Sequence, residues 1–299
     1  MEVSVIIPTK DRRASLQRVL PTFLMQEEVR EIIIVIDGSS DGTREYLVDL
    51  CRDNEAVRYL DNGVNRGVPF SRNRGIEAAK YGYIFMAEDD LELTEGFFST
   101  LFSHMAEVGA DVICGRNIFR LDTETAAESI ARMDKYKGPY VNVKTIEIET
   151  GADIGFDQEE PIIASPMLAK TALYREVGYN EIYRVNFWRE ETDFQLSARE
   201  HGYRLACCPH AICFNFEMSN DRGGVHAAVG LRREKWIIIN NWQFVKKHED
   251  FIRDNLEIGN KRSYIVRFSL SRLLNYVVMP PMYRLISRIK RYAFGKWRD

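Results

Sequence analysis

The sequence predicts an α/β protein in which a mixed, mainly parallel sheet is flanked by helices. Short apolar runs alternate with segments of helical periodicity through the first part of the chain. The runs at 31–37 and 83–87 have no polar face, which is typical of parallel strands covered by helices on both sides. Polar loops follow these runs, at the edge of the sheet where α/β proteins bind ligands.

Composition is that of a soluble globular protein. The 299 residues are 45% hydrophobic and 28% charged, enough to bury a full core. The five scattered cysteines form no C-x-x-C pair, which indicates reduced thiols and a cytoplasmic location. Cys207 and Cys208 would point to opposite sides of a strand, which disfavours a zinc site with His210. The apolar run 3–7 is too short for a secretion signal, and no run is long enough for a spanning helix.

Charge divides the chain into an acidic body and a basic tail. Residues 261–299 hold ten Lys and Arg and one acid, leaving 31 basic and 43 acidic residues before them. Spacing after Pro281 predicts an amphipathic helix, so 259–299 is expected to form a helical basic tail. Such a tail is typical of peripheral contact with an anionic membrane face. The alternatives are packing on the body or in an oligomer and, less favoured, nucleic-acid binding.

The first part of the chain alternates strands and helices, which predicts a right-handed βαβ array. Pro8 is expected to stop the first strand, and Pro21 to kink or restart the first helix. Predicted in order are strand 3–8, helix 14–26, strand 31–37, helix 41–51, strand 57–60, a helix reaching residue 80 and strand 83–87.

The loops after these strands carry the candidate functional groups. The segment 65–75 places three arginines and two glycines at a helix start, which suits a diphosphate or is a solvated basic turn. Glu88, Asp89 and Asp90 follow the fourth strand. Packed together they need water, a cation or hydrogen-bond donors, although a solvated acidic turn is equally consistent. The fingerprints of dehydrogenase-type dinucleotide binding and of P-loops are missing.

Three stretches, VSVIIPTKDR, EIIIVIDGSSDGT and NRGVPFSRNRGIEAAKYGYIFMAEDD, together resemble the amino-terminal half of family 2 glycosyltransferases. The resemblance implies the Rossmann-like GT-A fold, a nucleotide-sugar donor and a divalent cation, Mn²⁺ or Mg²⁺. It implies a nucleotide-sugar-binding half at 1–105 and an acceptor-binding, catalytic-base half at 106–258. A hard dication and arginines would neutralise the charge that develops on the leaving diphosphate.

The resemblance also assigns residues. Asp37 is expected to read the edge of uracil or another base, and Asp90 to bind the metal. Glu88 stands where the family usually has Asp. The longer acid can still accept a hydrogen bond from a hydroxyl, so its contact is expected to shift in detail without loss of function. The implied nucleotide and donor site comprises Pro8, Thr9, Asp11, Arg12, Asp37, Gly67, Arg72, Glu88 and Asp89.

The second half contributes the expected catalytic acids. Glu190, Glu191 and Asp193 begin a predicted helix, where acids also simply complement the helix dipole. The segment resembles the family's E-D-x-D motif, which implies that Glu191 is the base for an inverting displacement and that Glu190 and Asp193 match the other acids. Because Glu replaces Asp at the base position, it stays open whether Glu190 or Glu191 is the base. The Q-x-x-R-W pattern of processive synthases is missing.

A histidine metal ligand found downstream in many family members has no direct counterpart. Asn215 stands at that position, and His210 and His226 are the neighbouring substitutes, or else ordinary surface or packed histidines. The later pattern predicts strands over 141–149 and 162–170.

The expected function is metal-dependent transfer of a sugar, from a UDP-sugar by family habit, to a saccharide or lipid-linked acceptor. The protein would be cytoplasmic or peripheral on the cytoplasmic membrane face. The alternatives are a catalytically weak, glycosyltransferase-like nucleotide-binding or scaffold protein and a nucleic-acid-binding protein. The sequence does not determine the sugar, acceptor, linkage, preferred metal or oligomeric state.

Overall fold

The computed structural model describes residues 1–142, 145–155, 160–216, 230–256, 259–274 and 276. The strands are β1 Val3–Thr9, β2 Val29–Ile36, β3 Val57–Asp61, β4 Tyr83–Met86, β5 Leu91–Leu93, β6 Val112–Phe119, β7 Val141–Asn142, β8 Glu147–Ile148, β9 Met167–Lys170 and β10 Leu205–Asn215. The helices are α1 Arg13–Leu24, α2 Thr43–Asp53, α3 Val68–Ala78, α4 Phe97–Val108, α5 Ala126–Met133, α6 Thr171–Val177, α7 Glu190–Glu200, α8 Gly230–Lys247, α9 Glu249–Asn255 and α10 Lys261–Leu273.

Within these ranges, eight strands form one sheet in the order β3-β2-β1-β4-β9-β6-β10-β5. The first four in this order pair in parallel, and β6 and β10 also run parallel to each other. β9 is antiparallel between β4 and β6, and β5 is antiparallel at the edge. The predicted mixed, mainly parallel sheet is therefore confirmed. Because β9 joins the two parallel groups, strand ends from both halves of the chain meet at one edge.

Side chains of the central strands alternate between two cores, one on each face of the sheet. Ile6 and Ile33 pack in one core, whereas Val5, Ile34 and Phe85 pack in the other. All five are fully buried. Helices cover both faces, so neither face requires polar residues, which explains the continuous apolar runs.

Proline interrupts the first two elements less than expected. β1 continues through Pro8 to Thr9, so the predicted stop at Pro8 is wrong. Pairing with β4 reaches only Ile6, which leaves Pro8 paired with β2 alone, and proline is tolerated where one side of a strand has no neighbour. Helix α1 likewise contains Pro21 and extends to Leu24.

Two strands predicted in the second half are wrong in extent. Within the predicted strand 141–149, the short strands β7 and β8 pair with each other in antiparallel fashion, so the described residues do not form one strand. The strand predicted at 162–170 begins only at Met167. Amides of Ile163 and Ala164 bond to side chains from other elements, which takes them out of the strand ladder.

Helix α7 is fixed by aromatic packing. Phe194 stacks against both Tyr174 and Tyr179, with ring centroids 4.9 and 4.8 Å away. These two tyrosines come from α6 and the segment after it. The packing holds α7 so that its first turn, beginning at Glu190 as expected, faces the carboxyl ends of the strands.

Helix α10 is the described part of the predicted tail. Tyr264 and Phe268 turn inward and are buried. The tail residues 277–299 and the polar segment 218–225 lie outside the described residues. Across the described part of the chain, no helix has the length and hydrophobicity that a bilayer span requires.

Candidate active site

A cleft of about 1530 Å³ lies at the carboxyl ends of the parallel strands. Residues from both halves line it, because strands from both halves end at this edge. The predicted site residues that line the cleft are Pro8, Thr9, Arg12, Asp37, Gly67, Arg72, Glu88, Asp89, Asp90, Glu190 and Glu191.

Three other predicted residues do not line the cleft. Asp11 bonds to the loop after β2, and Asp193, in the first turn of α7, is 1% exposed. His210 is exposed on β10, where the strand is bulged between Cys208 and Ile212, and it does not line the cleft. His226 lies outside the described residues.

Asp37 holds the loop that carries the arginines. One carboxylate oxygen accepts from the Arg66 amide at 2.7 Å and from Asn62 Nδ2 at 2.9 Å, and the other accepts from the Gly67 amide at 2.9 Å. Gly67 has a φ of +98°, and a β-carbon there would lie 2.7 Å from the Phe187 ring. Glycine thus allows the second half of the chain to pack on the loop that Asp37 shapes.

Thr9 and Arg12 contact the acids that follow β4. Thr9 Oγ1 donates to Asp89 Oδ2 at 2.7 Å, and Arg12 Nη2 donates to Asp90 Oδ2 at 3.1 Å. Arg12 is only 5% exposed, so this cation is built into the site. The β1 loop and the β4 acids therefore form one charged surface at the floor of the cleft.

Asn215 joins Glu88 and Asp90. Its Nδ2 donates to Glu88 Oε2 at 3.0 Å and to Asp90 Oδ1 at 2.9 Å. Burial and the charges of Glu191 and Asp90 raise the pKa of Glu88 to about 8. Burial and the charge of Asp89 raise the pKa of Asp90 to about 6. The sequence marked Asn215 only as the place where a histidine is missing; the structure places it between two carboxylates.

These groups fit a divalent cation. Among the described residues, no three His, Cys, Asp or Glu side chains converge as a metal site, so carboxylates alone do not complete one. Glu88 and Asp90 offer carboxylate oxygens, the ligands that hard cations prefer, while the Asn215 amide nitrogen faces both. Burial and the neighbouring carboxylates raise the pKa of both acids, and a bound cation would favour their ionised forms.

Arg72 connects the two acids at the start of α7. Its Nη1 lies 2.6 Å from Glu190 Oε1, and its Nη2 donates to Glu191 Oε1 at 2.5 Å. Burial alone would lower the pKa of Arg72, but Glu190 and Glu191 raise it well above its usual value. Ser165 Oγ also donates to Glu191 Oε1, at 2.7 Å. The guanidinium is therefore a permanent charge that orients both carboxylates.

The two acids differ in access to the cleft. The Glu190 side chain is 6% exposed, and burial raises its pKa to about 8 despite the adjacent Arg72. The Glu191 side chain is 29% exposed. Both acids line the cleft, and Glu191 is the more accessible of the two.

Asp193 belongs to a separate polar cluster that anchors α7. Its carboxylate accepts from Tyr183 Oη at 2.8 Å and Lys247 Nζ at 2.8 Å, and lies 2.9 Å from His248 Nε2. Burial would raise the pKa of Asp193, but hydrogen bonds from His248 and Lys247 lower it. Lys247 and His248 lie in no motif, so the sequence did not reveal this cluster.

Comparison with known protein families shows to which enzyme family the chain belongs. Residues 4–159, just over half of the chain, match the model of Glycosyl transferase family 2. The chain belongs to glycosyl transferase family 2. The resemblance drawn from the three motif stretches is confirmed, and with it the enzyme class of glycosyltransferase.

Two relatives illustrate the range of similarity. The GalNAc(5)-diNAcBac-PP-undecaprenol beta-1,3-glucosyltransferase of Campylobacter jejuni is 31% identical over 113 residues, which are 37% of this chain and 37% of that protein. The succinoglycan biosynthesis protein ExoU of Rhizobium meliloti is 23% identical over 303 aligned positions, covering 94% of this chain and 84% of its own length. The first match thus spans little more than a third of the relative.

Solved structures share the fold. Staphylococcus aureus TarS 1–349 in complex with UDP-GlcNAc superposes with a TM-score of 0.59 at 17% identity, covering 92% of this chain and 73% of TarS. The mannosyltransferase PcManGT of Pyrobaculum calidifontis, in complex with GDP-Man and Mn²⁺, superposes with a TM-score of 0.60 at 13% identity. The match covers 97% of this chain and 80% of PcManGT. The predicted GT-A fold is confirmed.

Proposed function

We propose that this protein is an inverting, cation-dependent glycosyltransferase that uses a nucleoside diphosphate sugar, with UDP as the first candidate. The acceptor is a hydroxyl of a saccharide or lipid-linked saccharide. One observation carries the proposal: a single cleft joins the β4 acids of the first half with the Arg72-held pair Glu190 and Glu191 of the second. The UDP-GlcNAc and Mn²⁺ of the two structural neighbours support the donor class and the cation.

The first half binds the donor. Asp37 keeps the segment 65–67 in place beside the cleft, where Arg66 and Arg72 contribute positive charge. A divalent cation bound at Asp90 would supply further charge to the leaving diphosphate. Arg12, buried against Asp90, holds that carboxylate toward the cleft.

The second half supplies the base. Glu191 removes the proton from the acceptor hydroxyl while the oxygen attacks the anomeric carbon. The bond between the sugar and the diphosphate breaks in the same displacement, which inverts the anomeric configuration. Arg72 and Ser165 orient the Glu191 carboxylate, Glu190 holds Arg72, and Asp193 positions the helix that carries both acids.

Calorimetric titration of UDP, with and without Mn²⁺ or Mg²⁺, tests the donor site. Wild type should bind UDP in a cation-dependent way, and Asp90→Ala should lose that dependence. Asp122→Ala, which removes an exposed acid outside the cleft, should bind like wild type. Failure of both UDP and GDP to bind wild type would refute the donor site. Binding without turnover of any UDP-sugar would favour the nucleotide-binding or scaffold alternative.

The outer face of α10 supports a membrane-borne acceptor. Val266, Leu270 and Leu273 are 55, 53 and 40% exposed and follow helical spacing along this face. Arg262 and Arg267 are also exposed on α10. Exposed apolar side chains mixed with arginines are typical of helices that lie on anionic membranes.

The inner face of the same helix contacts the acceptor side of the cleft. Tyr264 Oη lies 3.4 Å from Arg189 Nη2, and the Arg272 guanidinium lies 5.9 Å from the Trp188 ring. A membrane-bound α10 would therefore place the cleft beside a lipid carrier. Wild type should sediment with anionic liposomes, and Leu270→Asp should reduce sedimentation without changing UDP binding. If wild type stays in the supernatant, membrane contact is ruled out.

A further inference from the structure

We propose that Arg184 and Arg232 bind the phosphate group that joins a saccharide acceptor to its lipid carrier. The inference rests on the proposed function and deepens it. It makes the acceptor an anionic, lipid-linked saccharide, and it assigns the two arginines that hold its phosphate. Both residues belong to the second half of the chain and line the cleft.

The two arginines are exposed cations whose side chains have no partner among the described residues. Neither guanidinium makes a hydrogen bond, an ion pair or a ring contact there. By contrast, Arg12 and Arg72 pair with carboxylates, and Arg189 donates to two backbone carbonyls. Two such guanidiniums in one cleft suit a phosphate, because the planar fork of arginine matches phosphate oxygens.

Helix α8 fixes the backbone of both residues. Asn240 Nδ2 donates to the Arg184 carbonyl at 3.0 Å, and Asn240 Oδ1 accepts from the Arg184 amide at 3.4 Å. Arg232 lies in the first turn of the same helix, about 12 Å along its axis from Asn240. The first turn of α8 contains no acid. The two arginines therefore lie on the α8 side of the cleft, at a separation that two long side chains can bridge around one ligand.

Helix α10 runs antiparallel to α8. Tyr264 Oη, near the start of α10, lies 3.5 Å from Asn241 Oδ1. Arg272 Nε, near the end of α10, donates to Glu234 Oε2 at 2.8 Å. The carboxyl-terminal end of α10 therefore lies beside the first turns of α8.

This register brings the apolar end of α10 close to the arginine pair. Leu270 and Leu273 are 53 and 40% exposed at the end of α10 that lies nearest Arg232. A carrier whose hydrocarbon chain lies in a membrane beside these leucines would bring its phosphate to the level of Arg232. Its saccharide would then extend into the cleft.

The diphosphate of the donor is expected elsewhere. Arg66, Arg72 and the cation proposed at Asp90 serve it from the first half of the chain. Arg184 and Arg232 are therefore left for a second anion, which the acceptor supplies.

Calorimetric titration of farnesyl diphosphate into the protein saturated with UDP and Mg²⁺ tests the pair. Farnesol has the same chain without phosphate and should bind at least about tenfold more weakly. Arg184→Gln and Arg232→Gln should each weaken farnesyl diphosphate binding about fivefold or more, and the double variant should no longer prefer it to farnesol. The affinity for UDP should be the same in all variants.

Arg262→Gln is the matched control. Arg262 is an exposed arginine of α10 outside the cleft, so its loss should leave farnesyl diphosphate binding unchanged. Sedimentation with phosphatidylglycerol liposomes separates an acceptor phosphate from a membrane headgroup. The double variant should sediment as wild type does, because the outer face of α10 is intact. Thermal unfolding of each variant verifies that it is folded.

The outcomes separate this inference from the proposed function. Failure of wild type to bind UDP overturns both. Binding of UDP without phosphate-dependent binding of farnesyl diphosphate overturns the inference alone, as does equal affinity of wild type and the double variant for farnesyl diphosphate.

Two further results would assign the arginines to another anion. Loss of UDP binding in the double variant would assign them to the donor. Loss of liposome binding with farnesyl diphosphate binding retained would assign them to membrane headgroups, and either result overturns the inference. Phosphate-dependent binding that is lost in the double variant and kept in Arg262→Gln supports it.

Discussion

Arg72 illustrates how one buried cation can fix two neighbouring acids. It is 4% exposed and lies within 2.6 Å of both Glu190 and Glu191. Because the guanidinium stays charged, it fixes the direction of both carboxylates. The two acids differ in environment, since burial raises the pKa of Glu190 to about 8 while the Glu191 side chain is 29% exposed.

Glu191→Gln should lower turnover by roughly 10²–10⁴-fold, because an amide cannot take the acceptor proton. The dissociation constant for UDP should stay unchanged, since the base does not touch the nucleotide. Glu190→Gln should reduce turnover less, by loosening Arg72. Steady-state kinetics and UDP titration of the two variants decide the assignment. The roles are reversed if Glu190→Gln abolishes turnover and Glu191→Gln retains it.

At the scale of elements, the loop before α3 depends on Asp37. Replacing Asp37 with Asn removes charge from a group that accepts from two backbone amides and the Asn62 side chain. We expect the free energy of unfolding to fall by about 1–3 kcal/mol and UDP affinity to fall with it. Urea denaturation and UDP calorimetry measure the two effects. A loss of UDP affinity at unchanged stability would instead mean that Asp37 acts by touching the base.

The position of α7 depends on the Asp193 cluster. Asp193→Asn should destabilise the fold by about 1–3 kcal/mol. It should also lower kcat without changing the UDP dissociation constant, because α7 carries the proposed base and not the proposed donor site. Lys247→Met removes one partner of the same carboxylate and should cause a smaller change in the same direction. If only Asp193→Asn affects kcat and neither variant affects stability, Asp193 acts on the substrate, as its motif implies.

Across the whole molecule, the cleft concentrates buried acids at the edge of an acidic body. The folded state raises the pKa of Glu190 from 4.5 to about 8, because it is buried. The folded protein therefore binds this proton more tightly than the unfolded chain does. Its contribution to stability is complete below about pH 4.5 and is lost as pH rises to about 8.

Glu190→Gln should flatten this pH dependence. Between pH 5 and about 8.5, wild type should lose on the order of a few kcal/mol more unfolding free energy than the variant. Urea denaturation in cation-free buffer at several pH values measures the difference. Parallel pH profiles would show that Glu190 keeps an ordinary pKa in the fold.

Much of this architecture could be predicted from the sequence. The apolar runs at 31–37 and 83–87 become β2 and β4, and the loops after them line the cleft. These features are local, because apolar runs and helical spacing reflect burial of a single segment. The three motif stretches added the family, which the match over residues 4–159 confirms.

Tertiary structure decided which side chains meet. The contact between Glu88 and Asn215 spans 127 positions, and that between Arg72 and Glu191 spans 119. No local pattern encodes such pairs, because they depend on β9 joining the two parallel groups of strands and on the packing of α7. For the same reason, Asp193 and His210 were predicted as site residues from their positions in the sequence, yet neither lines the cleft. The sequence by itself determined the strands of the first half and the polar residues that follow them. The exposure, partners and charge of each acid were decided only when the distant segments packed together.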